Sequence, residues 1–376
     1  MSEREYVVIS GYYGFDNLGD EAILEEIIAE VSRLISDKSK IVVLSQNPEK
    51  THRVFGVTSI NRWKLAEIGP YFSKARLFIS GGGGLYQDAS SVKSVVYYAG
   101  LALLAKLSGA PTVIYAQGVG PLKSLISVAL TKAAMGFARE IAVRDSDSVD
   151  LLRSWGIDKA RLTADPVWCL QRSALPDETE AALKNRPPGS SLMGLSIRES
   201  HHISRSTVEA MAHSLAACAR EGTILVPLIL QHNQDAELLQ AFSTIWKSNG
   251  HATLDLDFSK IDRPSQWLSL LSELDLVVGM RFHALLMALK SGVPAVGLAY
   301  DPKVSYLMKN FEQPCLILAK SSSDNDDAAL AAELANMVKT ASSDNSEFRE
   351  RAKRVTASQN ELACQNFDVI ARILGS

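Results

Sequence analysis

Cysteine is scarce in this chain. The four present, Cys169, Cys218, Cys315 and Cys364, are far apart and lack the paired spacing of a zinc site or a disulfide framework. They are expected to be reduced, partly buried thiols. Excess charge of either sign is missing too: 39 Lys and Arg against 42 Asp and Glu leave a net charge of −3, which gives no basic footprint for nucleic acid. Long apolar runs are absent, since the longest, Val95 to Leu104, stops short of Lys106 and cannot span a bilayer. The first residues show no charged region followed by an apolar one, so no signal peptide is indicated and a cytoplasmic protein is expected. No H-E-x-x-H, Cys/His cluster, Walker sequence or G-x-S-x-G elbow occurs. Metal and nucleoside-triphosphate chemistry, and the commonest serine hydrolases, therefore have no support.

What the chain does have is alternation. Short apolar runs and amphipathic helical stretches follow each other almost end to end, which is the pattern of parallel α/β sheets. In the first half, Tyr6 to Ser10, Ile41 to Leu44, Leu77 to Ser80, Thr112 to Ala116 and Ile141 to Val143 read as strands. Helices are expected over Asp20 to Leu34 and Val92 to Leu107. The pattern lapses around Pro176 to Ser191, the best candidate for a linker. It resumes with strands at Leu192 to Ile197, Ile224 to Leu228, Asp275 to Gly279 and Ala295 to Leu298. Ser321 to Asp327 reads as a polar loop, and Phe348 to Leu374 as a final helix that crosses back. At 376 residues the chain is too long for one typical core. The expectation is an N-terminal Rossmann-like domain over 1–178, a second over 190–345, and a closing helix over 346–376, the two domains facing across a cleft.

Several strand ends carry residues suited to ligands. Gly11 to Glu21 joins the first strand to the first helix and holds Asp16, Asn17 and Asp20; Asp20 fits either a helix cap or a functional acid. Gly81 to Gly84 is a run of four glycines whose entropic cost points to a close ligand or domain contact. Gln117-Gly118-Val119-Gly120-Pro121 repeats the idea after the next strand, and Arg144 ends the one after that, where Asp145 or Asp147 could pair with it. In the second half Arg198 ends a strand, and Gln231 to Asp235 follows another. His201 and His202 read as solvated turn residues.

The richest segment is Gly279-Met280-Arg281-Phe282-His283, followed by Tyr300-Asp301-Pro302-Lys303 after the next strand. A helix N-terminus already favours anions through its unpaired N–H groups and its dipole. Arg281, His283 and Lys303 would sharpen such a site for phosphate or carboxylate at the strand carboxyl ends, where open α/β sheets bind ligands. Arg281 and His283 can serve one ligand only if the helix begins between them, because positions two apart do not share a face. The bland alternative pairs Arg281 with a nearby acid and has His283 cap a backbone group.

Taken in order, these loops resemble those of the polysaccharide pyruvyltransferase family, and specifically its bacterial cell-wall (CsaB-like) branch. The resemblance rests on Gly11 to Glu21, Gly81-Gly82-Gly83, Gln117 to Pro121, Arg144-Asp145, Ala164-Asp165-Pro166-Val167, Arg281-Phe282-His283 and Ser291-Gly292-Val293-Pro294. It implies a GT-B-like α/β fold and transfer of pyruvyl from phosphoenolpyruvate (PEP) to a sugar as a cyclic ketal. It implies PEP as co-substrate with no further cofactor and no metal. The acceptor in that branch is a β-linked N-acetylmannosamine on a lipid-linked secondary-wall-polymer precursor, so transient contact with the inner face of the membrane is expected. The residues carried over for PEP are Arg144, Arg281, His283 and Lys303. His283 is the candidate acid or phosphate ligand, and Asp20 the candidate base at the acceptor. Asp16, Asn17, Gly82, Gly83, Gln117 and Arg198 are candidates for acceptor contact or loop support.

Two other readings stay open at this level. Gly292 to Gly297 also resembles the donor half of sugar-nucleotide glycosyltransferases, although Arg281 to Ser291 lacks the acid that usually holds a ribose. A non-catalytic carbohydrate-binding protein would share the fold without turnover.

Overall fold

Near-continuous Val, Ile and Leu strands can be buried only in parallel sheets covered by crossover helices. The computed structural model, which describes residues 4–88, 91–318, 324–341 and 346–375, contains two such sheets. The first has eight strands: β1 (Tyr6–Ser10), β2 (Ile41–Ser45), β3 (Thr58–Asn61), β4 (Ala75–Ser80), β5 (Gly83–Tyr86), β6 (Thr112–Val119), β7 (Glu140–Val143) and β8 (Ala160–Leu162). Their order is β3-β2-β1-β4-β6-β7-β8, with β5 paired to β6, and the pairs are parallel. The second has six: β9 (Ser191–Ser196), β10 (Thr223–Pro227), β11 (Ala252–Thr253), β12 (Leu276–Gly279), β13 (Ala295–Ala299) and β14 (Cys315–Ile317), ordered β11-β10-β9-β12-β13-β14. The chain divides into a compact unit of Met1–Leu170 with Ser358–Ser376, and a second of Gln171–Ala357.

Both sheets reverse direction once. In the first, the chain runs outward from β1 through β2 to β3, then returns to place β4 on the other side of β1. In the second, β9, β10 and β11 run outward, and β12 returns to the other side of β9. The loops leaving the two central strands part at that point and open a crevice at the carboxyl edge, where such sheets bind ligands. The closure is alike in both: Gly81 N–H donates to the Ser10 carbonyl at 2.7 Å, and Met280 N–H to the Ser196 carbonyl at 2.7 Å.

Several elements differ from the sequence reading. Thr112 begins a strand that runs on through Gln117 to Val119, so the expected loop there is mostly strand. It bulges where Ala116 takes a positive φ of 45° and its register to β7 shifts. The glycine run contains the short strand β5. The polar stretch expected as a linker holds a helix, Asp177–Lys184. The expected loop at Ser321 to Asp327 is a helix from Asp324 onward, its earlier residues lying outside those described. The edge strands β3, β8, β11 and β14 escaped notice because they are short and partly exposed.

The second half of the last helix, Ser346–Leu374, belongs to the first unit. There Asn366 Nδ2 donates to the Ala164 carbonyl at 2.9 Å, and Asn360 Nδ2 to the Trp168 carbonyl at 3.0 Å. It also brings Cys364 Sγ within 3.5 Å of Cys169 Sγ, a contact between residues that looked unrelated in sequence.

In the second unit, the helix Asp324–Ala341 is keyed to Arg205–Cys218 by a buried carboxylate. Asp327 accepts from Thr207 Oγ1 at 2.6 Å and from Ser206 Oγ at 2.7 Å. Asp327→Ala removes the charged acceptor shared by two hydroxyls, which are left with their contacts to Ser204, and is expected to cost about 1–3 kcal/mol. A chemical denaturation series comparing wild type and variant, read by tryptophan fluorescence, checks it.

Candidate functional site

The first unit's crevice is built around the loop after β1. Asn17 caps the helix Leu18–Leu34, its side chain accepting from Gly19 N at 3.2 Å. Asp20 therefore is not the cap. It sits in the helix's first turn, where Asn17 Nδ2 donates to its carboxylate at 2.5 Å. Asp16, by contrast, is exposed at a positive φ of 57° and pairs with Lys50 at 2.7 Å, a surface bridge of little energetic weight.

The glycines serve the protein's own side chains. A Cβ at Gly81 would stand 2.0 Å from the Tyr13 hydroxyl, and one at Gly82 would stand 2.9 Å from Ile23 Cγ2. One at Gly83, whose φ is +100°, would stand 2.9 Å from Asp20 Oδ1. The run was expected to admit a ligand or a domain; the close approaches seen are those of Tyr13, Ile23 and Asp20. Gln117 is likewise loop support: fully buried, it accepts from Leu85 N at 3.2 Å and ties β5 to β6.

Arg144 follows β7 and pairs with Asp165 at 2.5 Å, both side chains nearly buried. Neither acid suggested by sequence proximity is the partner. Asp145 instead caps the helix Ser146–Ser154. The Arg144–Asp165 bridge joins two of the segments on which the family resemblance rests.

Glu21 had no assigned role. Its carboxylate accepts from Gly14 N at 2.7 Å, and Gly14, at φ +77°, has no room for a side chain against Ser45 and Asn47. Burial, opposed by that hydrogen bond and reinforced by the charge of Asp20, pushes the Glu21 carboxyl up to about 8. A glycine in a left-handed turn whose N–H needs an acceptor was the signal available in the sequence.

The second unit presents its cations from three adjacent strands. Arg198 follows β9, Arg281 and His283 follow β12, and Lys303 follows β13. The helix Phe282–Lys290 starts after Arg281, which occupies the N-cap position with an extended backbone. The condition for Arg281 and His283 to serve one ligand is thus met by backbone geometry. The guanidinium, however, is already engaged. It forms a buried ion pair with Asp235 and donates to Gln231 Oε1 at 3.2 Å and Gln234 Oε1 at 3.3 Å. Of the two readings of Arg281, an anion-binding cation and an arginine paired with an acid, the pairing is what the geometry shows, because a charge only 8% exposed needs a partner. Burial raises the Asp235 carboxyl, while Arg281 pulls it back.

The other cations are less enclosed. His283 is half-buried in the first helical turn, and Lys303 is exposed behind Pro302, with its N–H bound to the Asp301 side chain at 2.9 Å. Arg198 lies 5.8 Å from the Tyr300 ring centroid, which joins it to the loop carrying Lys303. His201 is exposed as expected, whereas His202 is half-buried, with its ring centroid 6.5 Å from that of Tyr300 and its Nδ1 buried. A separate cavity of about 740 Å³ lined by Leu175, Lys184, Arg186, Pro187 and Glu273 lies toward the strands' amino ends, opposite the crevice.

The model of the polysaccharide pyruvyl transferase family matches residues 17–302. The chain belongs to that family. It is accordingly a transferase with a saccharide acceptor, and the match takes in every strand-end loop described above except the start of the first and Lys303. No curated protein matches the chain. Among solved structures, the pyruvyl transferase is similar to UDP-GlcNAc 2-epimerase from Neisseria meningitidis bound to UDP-GlcNAc (12% identity, TM-score 0.63, 98% of this chain and 99% of that one). It is also similar to Anabaena Alr3699/HepE in complex with UDP-glucose (12%, 0.61, 99% and 100%) and to a glycosyltransferase from Rickettsia africae (12%, 0.60, 100% and 99%). At such identities the likeness shows the fold alone, the GT-B arrangement of two Rossmann-like domains. No helix among the described residues of the transferase is long and apolar enough to cross a membrane.

Two outcomes test this geometry. Gly83→Ala forces a side chain into a disfavoured φ against Asp20 and is expected to cost about 1–3 kcal/mol and to lower activity; a melting curve and a turnover assay on one preparation check both. For Glu21, the carboxyl titrates at 4.5 when unperturbed and near 8 in the fold. Its raised value means that the folded state holds the proton more tightly. That contribution to stability is complete at low pH and is lost as pH rises from about 4.5 to about 8. Melting temperatures of Glu21→Gln across that range are expected to fall less than those of wild type.

Proposed function

We propose that the pyruvyl donor is PEP and that the second unit holds it. The reading is carried by the placement of Arg198, His283 and Lys303 on the adjacent strands β9, β12 and β13, at the crevice beside a helix N-terminus. PEP concentrates nearly three negative charges in a small volume, and several cations around a helix start suit it. Arg281, at the N-cap position and held by Asp235, stands beside that helix start. Arg144, held by Asp165, is the first unit's candidate for an anionic group.

In the proposed reaction His283 gives a proton to the PEP methylene carbon, leaving an oxocarbenium-like centre at C2. An acceptor hydroxyl attacks C2, and Asp20 takes its proton. The C2–O bond to phosphate breaks with its electron pair on phosphate. A second hydroxyl of the same sugar then closes the ketal. Of the two hydroxyl protons, one replaces that given to carbon and the other leaves with phosphate. No cofactor and no metal enters this scheme. The acceptor we favour is the β-linked N-acetylmannosamine of a lipid-linked secondary-wall-polymer precursor, reached at the cytoplasmic face of the membrane. The pyruvylated polymer would then be recognised by S-layer homology domains.

Phosphate release from PEP, with and without a β-N-acetylmannosamine disaccharide on a lipid-diphosphate mimic, tests the proposal. Acceptor-dependent release with a product heavier by one pyruvyl ketal is the expected result. PEP binding without release would discard that acceptor, and no PEP binding would discard the donor. His283→Ala is expected to lower turnover about 100-fold or more while PEP affinity holds; lost affinity would make His283 a phosphate ligand instead.

A further inference from the structure

Arg62, just after β3, is 4% exposed, yet among the described residues it forms no ion pair with a carboxylate. Its guanidinium sits within a ring of aromatic faces: 4.2 Å from the Tyr97 centroid, 5.2 Å from Phe15, 5.3 Å from Trp63 and 5.4 Å from Tyr98. It donates to the Gly11 carbonyl at 3.1 Å and to the Tyr98 hydroxyl at 3.2 Å, and its buried Nε has no hydrogen-bond partner. A buried cation is costly, and here ring quadrupoles and two neutral acceptors offset that cost. Such an arrangement is a poor way to fill a core. It is a good way to hold aromatic rings in fixed places.

Two rings that lean on this cluster face solvent, Trp63 directly on the guanidinium and Tyr12 through Phe15. Trp63 is 59% exposed, and its indole Nε1 donates to Gln46 Oε1 at 3.0 Å. Tyr12 is 37% exposed and stacks on Phe15 with centroids 4.1 Å apart and planes within 4°. Trp63 packs on Tyr97 at 5.0 Å, and the Tyr97 hydroxyl donates to the Arg62 carbonyl at 3.0 Å. Single exposed apolar side chains are ordinary; two rings braced on one cluster, Trp63 directly on the buried guanidinium and Tyr12 through Phe15, are not. The platform adjoins the loop carrying Asp20, whose charge, after burial, is the next influence raising the Tyr12 hydroxyl.

We propose that Tyr12 and Trp63, braced by Arg62 and Phe15, form a stacking subsite for an uncharged pyranose ring of the acceptor chain, next to the sugar that receives pyruvyl. Pyranose C–H groups carry slight positive charge and fit the negative face of an aromatic ring. The guanidinium is covered by rings, so the ligand meets faces and not a cation; that favours a sugar over a phosphate. Because the rings are already fixed, binding costs little side-chain entropy. The proposal rests on the saccharide acceptor of the preceding section, and gives its second sugar a place.

The full-length enzyme would be assayed with methyl β-N-acetylmannosaminide and with a disaccharide that ends in β-N-acetylmannosamine. Trp63→Ala and Tyr12→Ala are expected to raise the disaccharide KM roughly tenfold, with kcat, the PEP KM and the monosaccharide KM near wild type. Trp63→Phe, which keeps a ring, is expected to recover most of the loss. An unchanged disaccharide KM in both alanine variants overturns the subsite, and so does an equal rise for both acceptors. Saturation-transfer NMR with the disaccharide alone separates this from the donor question. If wild type turns over no PEP but transfer to the second sugar disappears in Trp63→Ala, the donor reading falls and the subsite stands. No transfer to the disaccharide in wild type, or the same transfer in Trp63→Ala, overturns it.

Discussion

The constraint on which both candidate sites depend is the single reversal of strand order in each sheet. A parallel sheet must send every connection across its face, and where the direction of winding changes, two adjacent loops separate. β1 and β4 part in the first unit, β9 and β12 in the second. The backbone bonds from Gly81 to Ser10 and from Met280 to Ser196 close the two crevices at their base. Asp20, Gln117, Arg198, Arg281, His283 and Lys303 stand at those four strand ends or on the strands beside them, while Arg144 after β7 and Arg62 after β3 lie one strand further out. The glycines after β4 follow from the same constraint, since the loop can approach Tyr13, Ile23 and Asp20 only without side chains of its own.

Charge is then placed by pairing. Arg144 with Asp165, and Arg281 with Asp235, are each nearly buried, and removing either partner would leave a charge without compensation. Pairing lowers what each arginine can contribute to a ligand and fixes where it stands. Arg281 shows the consequence most clearly, because it occupies the N-cap position of the helix Phe282–Lys290 while its guanidinium is bound away from the helix start by Asp235, Gln231 and Gln234. His283, Lys303 and Arg198 lie around that start with greater exposure. Arg62 follows a third course, with aromatic faces in place of a carboxylate, and the result is a rigid platform and not an ion pair.

Much of this was legible in the sequence, for a physical reason. Strands buried on both faces must be apolar throughout, so β1, β2, β9 and β12 stand out in composition, and the helix Val92–Leu107 was read to the residue. The loops between them are polar and glycine-rich because they end at solvent, which is why Gly11 to Glu21, Gly81 to Gly84 and Arg281 to His283 drew notice. Short edge strands such as β3 and β14 carry no such contrast. Nor did the polar stretch around Asp177–Lys184, whose helix is not marked by apolar periodicity.

The sequence by itself determined the fold class, the family and the positions of the strand-end loops, because apolar periodicity and glycine-rich turns are local properties. The tertiary structure decided the partners. Asp235 meets Arg281 from 46 residues away, Asp165 meets Arg144 from 21, and Cys364 reaches Cys169 across 195. Glu21 becomes a raised carboxyl only when Gly14 turns back on it, and Arg62 becomes the centre of an aromatic cage only when β3 ends beside Gly11 and Tyr97. Pairing energies, burial and ionisation depend on distance through space, and a chain's order carries that information only after it has folded.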